Sequence, residues 1–297
     1  MNITHQILLN KKRIRFERIQ KLFNYLIPSY PKYFIRSWYL HRFKKPVNLN
    51  SPVTFNEKIQ WLKLYGGYDR YSQFVDKLAV KEFVKKTVGS HYTIENKQYI
   101  DVNQGIILSN LPDHFVIKPT HTSGDVFICR EKSLVNSEQL KQLINTWYEL
   151  DYYFQWFECV YKNLRPGVIV EEFLDDGNGD LRDFKFYCFD GRVEYIHVDL
   201  DRFHRHSRNV YSRDWELQTF SYEYPYSGIN IPAPEKLDEM INVAETLSKG
   251  FPFLRVDLYY LQNKKIKFGE LTFFPGAGFE RFYPAIWDTK FGEMLHI

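Results

Sequence analysis

An α+β fold with antiparallel sheets is what this 297-residue sequence predicts, on three observations. Helical periodicity is concentrated in roughly the first 90 residues. From about Tyr99 onward the chain breaks into short runs rich in β-branched and aromatic residues, separated by turn formers. Neighbouring runs reverse tightly, through Asp190-Gly191, a strong hairpin dipeptide, and through the polar break Gln262-Asn263-Lys264-Lys265. Strands joined this way pair antiparallel.

In chain order, Ile19, Leu22, Phe23, Leu26 and Ile27 recur at helical spacing between Arg13 and Ile27, and Pro28 ends that helix. Pro31 can open a second helix through Trp38 and Tyr39. Thr54 and Glu57 form a capping-box pattern before a helix over Lys58–Leu64, which Gly66-Gly67 ends. A further helix, Tyr71–Lys86, closes on a Lys-rich turn before Gly89. The predicted strands are Phe115–Lys118, Val126–Cys129, Val168–Phe173, Asp183–Phe189 and Val193–Asp199, followed by a hairpin over Leu254–Gly276. Helices over Ser137–Tyr152 and Pro234–Lys249 interrupt them.

Charge is unevenly spread. Residues 1–46 hold eleven Lys/Arg and a single acid, Glu17, a net +10 within a chain total of +4, so the remainder carries −6. The N-terminal region therefore suits an anionic partner or surface, the alternative being a solvated basic helix packed on the main body. A basic amphipathic helix can also lie on a membrane surface. The bias is too local to argue for nucleic acid. Cys129, Cys159 and Cys188 show neither pairing nor zinc spacing and read as buried thiols in a reducing compartment. No apolar run approaches membrane-spanning length, and Met1–Asn10 lacks the order of a signal peptide, so a cytoplasmic protein is expected. Walker, dinucleotide-binding and kinase signatures are missing from the sequence, as are spacings for Ser/His/Asp or Cys/His catalysis.

Four segments can carry chemistry. In the C-terminal hairpin, a turn centred on Asn263-Lys264 places Asp257 opposite Glu270 and Arg255 opposite Thr272. Like charges facing across a ladder destabilise it. A divalent cation between the acids would resolve this, with nucleotide phosphates completing its shell; a salt bridge through Arg255 would relieve it too. Lys118 ends an apolar strand and feeds the small-residue turn Pro119–Asp125, where Ser123 and Gly124 can close over phosphate oxygens. Glu171, Glu172, Phe173 and Leu174 end another apolar strand, whose backbone suits an adenine edge. Lys185 interrupts an aromatic strand and can reach a phosphate or snorkel out of the sheet.

Together these segments resemble an ATP-grasp fold. From about residue 48 to the end the chain is similar to the TupA-like branch named for teichuronopeptide biosynthesis. The matching stretches are Asn50–Tyr65, Asp76-Lys77, Phe115–Gly124, Ile169–Leu174, Asp183–Gly191 and Arg255–Gly278, and the block Phe55-Asn56-Glu57-Lys58-Ile59-Gln60-Trp61 is quite specific to the branch. Charge and helical spacing mark 1–47 as a basic helical extension, and the resemblance implies a catalytic domain at 48–297, whose two α+β lobes clasp ATP around a hinge near 171–174. It implies Lys118 and Lys185 as phosphate or adenine-side contacts, with Ser123, Gly124 and Glu171 to Leu174 completing the nucleotide site. Asp257 and Glu270 match the family's metal-binding acids. Thr272 stands where many ATP-grasp enzymes have an Asn as third ligand.

The expected function is then an ATP- and Mg²⁺-dependent ligase that joins an amine to a carboxylate through an acyl-phosphate, decorating a cell-surface polysaccharide or its precursor. Arg255 and Lys185 would neutralise the transferred phosphoryl group, and Arg202, Arg205 and Arg208, with His204 and His206 among them, would clamp an acidic acceptor. A basic surface loop is the bland alternative for that clamp. Rival functions are a sugar kinase on the same fold, a glycosyltransferase and a non-catalytic binding module. Removing either acid of the hairpin is expected to abolish Mg²⁺-ATP binding and, by relieving repulsion, to leave folding intact or strengthened.

Overall fold

A computed structural model describes residues 2–102, 104–175, 181–200 and 206–297. The chain begins with α1 (Ile3–Leu26), α2 (Tyr30–Phe43), α3 (Phe55–Tyr65) and α4 (Ala79–Thr87). Strands β1 (Asn96–Asp101), β2 (Phe115–Pro119) and β3 (Phe127–Cys129) come next, then α5 (Ser137–Tyr148), α6 (Tyr153–Trp156) and β4 (Gly167–Glu172). Four further strands follow: β5 (Asp183–Phe189), β6 (Arg192–Leu200), β7 (Ser207–Ser212) and β8 (Ser221–Tyr222). Helix α7 (Leu237–Ser248), hairpin strands β9 (Phe253–Tyr260) and β10 (Ile266–Thr272), β11 (Phe282–Tyr283) and α8 (Ile286–Met294) complete the order. The α+β class with antiparallel sheets is as expected.

Contacts divide the chain into two compact units. The first comprises Met1–Tyr33, Tyr68–Glu82 and Ile94–Phe173; the second takes Phe34–Gly67, Phe83–Thr93 and Leu174–Ile297. This division does not follow the expected boundary at 47/48. Helix α1 is part of the first unit, because Ile7 and Ile14 enter its core beside Leu140, Leu143 and Trp147 of α5. Its other inward residues are polar: Asn10 donates to Thr146 Oγ1 at 2.9 Å, and Glu17 accepts from Asp151 N and Gln155 Nε2, both at 2.8 Å. The apolar stripe Ile19, Leu22, Phe23, Leu26 and Ile27 is exposed. Hydrogen-bonding fit to the helices beneath outweighs apolar spacing in choosing the buried face.

The first unit's antiparallel sheet has the order β1-β4-β2-β3. The continuous helix expected over Tyr71–Lys86 is broken there. A 3-10 turn covers Tyr68–Phe74, and the Asp76 carboxylate accepts from Leu78 N at 2.9 Å and Ala79 N at 2.8 Å to start α4. Asp76-Lys77 is drawn out of helix because Lys77 donates to the turn after β2, through its backbone N to Thr120 O and its Nζ to Pro119 O, each at 3.0 Å. The helix expected to run to Tyr152 ends at Tyr148.

In the second unit the sheet order is β10-β9-β5-β6-β7. Asp190 and Gly191 turn β5 into β6 with φ of 49° and 79°, the two left-handed residues that the hairpin requires. Helix α7 covers the sheet's apolar face. Strand β7 was not foreseen: Ser207-Arg208-Asn209 looks like loop, but both long polar residues are buried and bonded.

Helix α8 packs against α3 so closely that a Cβ on Gly292 would lie 2.1 Å from Val53 O. We predict that Gly292→Ala costs about 3 kcal/mol, because backbone must move to admit the methyl. Urea unfolding reads this directly, and a midpoint equal to wild type would contradict it.

Among the described residues no helix is long and apolar enough to cross a membrane. Cys129 and Cys188 are buried free thiols as expected, whereas Cys159 is only half-buried.

Candidate functional site

Side chains alternate across a strand, so the register of the second unit decides what shares a face. Glu270 pairs with Asp257 and Thr272 with Arg255, while Asp257 and Arg255 pair on β9's other side with Lys185 and Tyr187. Across β5, Lys185 pairs with His197, and β6 sets Asp199 against Arg208 of β7. One face of the sheet is therefore a row of charges, opposite the face that α7 covers.

The hairpin acids face each other as expected, but by a different route. From Ile266 to Phe268 the pairing is one residue out of the expected register, and a β-bulge at Gly269 restores it just before Glu270. A Cβ on Gly269 would lie 3.1 Å from Asp257 O, so glycine is what lets the bulge close against β9.

Arg255 bridges the acids. Its Nε and Nη2 donate to Asp257 Oδ1 and Oδ2, each at 2.7 Å, and Nη2 reaches Glu270 Oε1 at 2.9 Å. The salt-bridge alternative is thus present, and there is no unrelieved repulsion for a substitution to remove. The expectation that losing an acid strengthens folding is corrected on that ground. Thr272 donates its hydroxyl to Glu270 Oε1 at 3.2 Å.

Lys185 does not snorkel out of the sheet. It is buried and ion-paired to Asp183, with Asp257 Oδ2 at 3.5 Å and Asp199 Oδ2 at 3.7 Å. Asp199 accepts from Arg208 Nε at 2.8 Å, and Arg208 Nη1 lies 3.5 Å from Glu280 Oε1. Among the described residues, the carboxylates of Asp183, Asp199, Asp257, Glu270 and Glu280 thus gather around Lys185, Arg208 and Arg255, with His206 Nε2 3.1 Å from Asp199 Oδ1. Burial raises the Asp257 carboxyl to about 6 despite Arg255 and Lys185, and raises Glu280 despite Arg208. Burial also works against ionised Asp199, but His197, Arg208 and Lys185 hold it well below the usual carboxylate range. His197 stays neutral, through burial and the nearby Arg208 charge, and bonds Tyr222 OH through Nδ1.

Two facing carboxylates on a charged sheet face, one of them 41% exposed, fit a divalent cation. Among the described residues no three His, Cys, Asp or Glu side chains form a ready cage. Mg²⁺ does not need one, since it commonly takes one or two carboxylates and draws its other oxygens from phosphate and water.

The branch-specific block on α3 secures the loop beyond β10. Gln60 Nε2 donates to Ala277 O at 2.9 Å and Gly278 O at 2.8 Å, and Lys63 Nζ to Ala277 O at 3.0 Å. Asn56 Nδ2 donates to Glu280 O at 2.9 Å. The loop needs this hold, because Gly276 and Ala277 have φ of 51° and 54°. We predict that Gln60→Leu costs about 2 kcal/mol, because Gly278 O loses its Gln60 donor and Ala277 O keeps only Lys63 Nζ of its two. A thermal midpoint indistinguishable from wild type would refute it.

In the first unit, Glu171 lies between two lysines, with Lys118 Nζ at 2.8 Å from Oε2 and Lys81 Nζ at 2.5 Å from Oε1. Burial pushes its carboxyl up, but both lysines more than offset this and hold it down to about 2. After Lys118 the turn is anchored at Asp125, which accepts from Thr122 Oγ1 at 2.7 Å and from Arg13 Nη1 at 2.5 Å. Gly124 is exposed with φ +81° and open space where a Cβ would be, and Ser123 is half-buried beside it. Beyond Glu171, Glu172 is exposed, and the Phe173 ring stands 5.4 Å from the Arg130 guanidinium.

Of the expected site residues, Lys118, Ser123, Gly124, Glu171, Glu172 and Phe173 belong to the first unit, where Lys118 and Glu171 meet directly. Leu174 falls in the second unit with Lys185, Arg208, Arg255, Asp257, Glu270 and Thr272. Arg208 is a buried strand residue rather than part of a surface loop; Arg202, His204 and Arg205 lie outside the described residues. Sequence reasoning did not single out Lys81, Asp183, Asp199 or Glu280. Asp183 and Asp199 could have been found from their even spacing to Lys185 and His197 on adjoining strands. Lys81 carries no such signal.

Two antiparallel-sheet units, one with a lysine-bracketed strand end and the other with an acidic hairpin, agree with the ATP-grasp class. The TupA-like ATPgrasp family model matches residues 57–296, and the chain belongs to that family. No curated protein matches it. Among solved structures, it is similar to D-alanine–D-alanine ligase from Bacillus anthracis complexed with ATP, at 16% identity and TM-score 0.43 over 75% of this chain and 64% of that one. It is also similar to D-cycloserine synthetase DcsG, at 15% identity and TM-score 0.40 over 68% and 62% of the two chains. A third likeness is the ADP complex of purK, N5-carboxyaminoimidazole ribonucleotide synthetase, at 13% identity and TM-score 0.45 over 73% and 50%. The chain thus spans less than two thirds of the length of these three proteins. Family membership rests on the family match, not on these likenesses.

Proposed function

We propose that the protein is an ATP- and Mg²⁺-dependent carboxylate–amine ligase, attaching an amino acid or amine to a uronic-acid-containing cell-surface polysaccharide or its precursor. The observation that carries the chemistry is the charged sheet face of the second unit, where Asp257 faces Glu270 across the hairpin with Arg255 between them and Lys185 beside Asp257. Asp257 and Glu270, with the Thr272 hydroxyl, would hold Mg²⁺. When bound, the metal supplies charge neutralisation for phosphate oxygens. Lys185 and Arg255 neutralise the negative charge that builds on the transferred phosphoryl group. Lys118, with Ser123 and Gly124 of its turn, contacts phosphate; the backbone from Glu171 to Leu174 takes the adenine edge, and the Glu172 carboxylate the ribose hydroxyls.

Such a reaction needs positioning and charge, not a protein nucleophile. A carboxylate oxygen of the acceptor attacks the γ-phosphorus and the bond to ADP breaks. The amine then attacks the acyl carbon, phosphate leaves, and the amine nitrogen gives up a proton. Arg208, fixed by Asp199 and Glu280, roots the clamp that Arg202 and Arg205 complete around the acidic acceptor. ATP dependence suits a cytoplasmic enzyme, and the basic N-terminal region suits an anionic glycan intermediate or the inner membrane face.

A phosphate-release screen of sugar acids against amino acids and amines tests the proposal. Ligation releases ADP and phosphate only when acid and amine are both present, and a carboxylate labelled with ¹⁸O passes one label to the phosphate. A sugar kinase would consume ATP without freeing phosphate, and a glycosyltransferase or binding module would ignore ATP.

A further inference from the structure

We infer that the outward face of α1 docks on an anionic lipid bilayer as an interfacial helix. This extends the membrane contact proposed above and needs none of the ligase chemistry. The inward side of α1 is fully used: Ile7, Asn10, Ile14, Glu17 and Gln20 are buried within the first unit, where the helix packs on α5 and α6. At 100° per residue the opposite side presents Leu8, Phe16, Ile19, Leu22, Phe23 and Leu26, all exposed, with Ile19 at 52%, Leu22 at 56% and Leu26 at 63%. Six large apolar side chains on one helix face are far more than the scattered exposure usual for a protein surface.

Charge selects the occupant. Lys12 and Arg15 stand exposed within this same stripe, with exposed Lys11 at its edge. Two copies meeting face to face would enclose both sets of cations in one contact, while the only acid of α1, Glu17, is buried on the inward side. Anionic headgroups neutralise them, at about fivefold in affinity per basic residue near the surface. Basic side chains can reach the headgroups while Leu, Ile and Phe enter the acyl boundary, which is the arrangement of a helix lying in the interface.

Co-sedimentation of the full chain with vesicles tests this, comparing phosphatidylglycerol–phosphatidylcholine mixtures with phosphatidylcholine alone. The variants are Ile19→Gln with Leu26→Gln, and Lys12→Glu with Arg15→Glu; all four positions are exposed, so the thermal midpoint should hold. We expect partitioning onto the anionic vesicles that weakens about tenfold or more in each variant, on neutral vesicles and at high salt. Failure to bind anionic vesicles, or equal binding by wild type and both variants, overturns the inference. A vesicle-free dimer that Ile19→Gln with Leu26→Gln dissolves overturns it in favour of a second copy. ATP turnover measured without vesicles separates the two proposals: its loss with vesicle binding intact counts against the ligase alone.

Discussion

Glu270→Gln is expected to cut Mg²⁺-dependent ATP turnover by about a hundredfold or more while leaving the thermal midpoint within about 2 °C of wild type. The two effects separate because of where Glu270 sits. Its side chain remains 41% exposed, so losing its charge leaves nothing buried without a partner, and Arg255 keeps both hydrogen bonds to Asp257. Asp257→Asn should lose turnover as well, but with about 3 kcal/mol of stability, because the buried Arg255 then loses the carboxylate that holds both arms of its fork. Paired kinetics and urea unfolding of the two variants check this. A Glu270→Gln enzyme that turns over ATP like wild type would remove Glu270 from the proposed metal site.

Glu171→Gln is expected to destabilise the first unit by about 3–5 kcal/mol, since it removes the buried charge that Lys81 and Lys118 share. The same pair gives a pH signature. The Glu171 carboxyl is lowered in the folded state from 4.5 to about 2. A lowered carboxyl contributes stability that is fully present above the unfolded value and is lost as pH falls through the folded one. Between pH about 4.5 and about 2, wild type should therefore lose about 3 kcal/mol that Glu171→Gln has already lost. Urea unfolding at a series of pH values reads the difference. Parallel stability–pH curves for the two proteins across that window would sink the ion-pair account.

Part of the charged sheet face was legible in the sequence, and what was missed has a physical cause. Asp257 opposite Glu270 could be read from two β runs around a polar break, since cross-strand pairing is local. The bulge at Gly269 was not readable, because a glycine in a strand shows its purpose only when the neighbouring backbone is in place. Asp183, Asp199 and Glu280 join the acidic face through strand order and a loop that α3 secures, and neither leaves a local pattern. Lys81 meets Glu171 across a long stretch of chain for the same reason. In α1 the apolar spacing located the helix but not its inward face, because Asn10 and Glu17 find hydrogen-bond partners there that leucine could not use.

The central claim is that the charged face of the second unit receives a metal-bound nucleotide. Calorimetric titration of the intact protein with a non-hydrolysable ATP analogue, in Mg²⁺ and again in EDTA, addresses it without knowledge of the other substrates. The expected result is binding that requires Mg²⁺ and disappears in Glu270→Gln. Equal binding with and without Mg²⁺, or equal binding by Glu270→Gln, would contradict it.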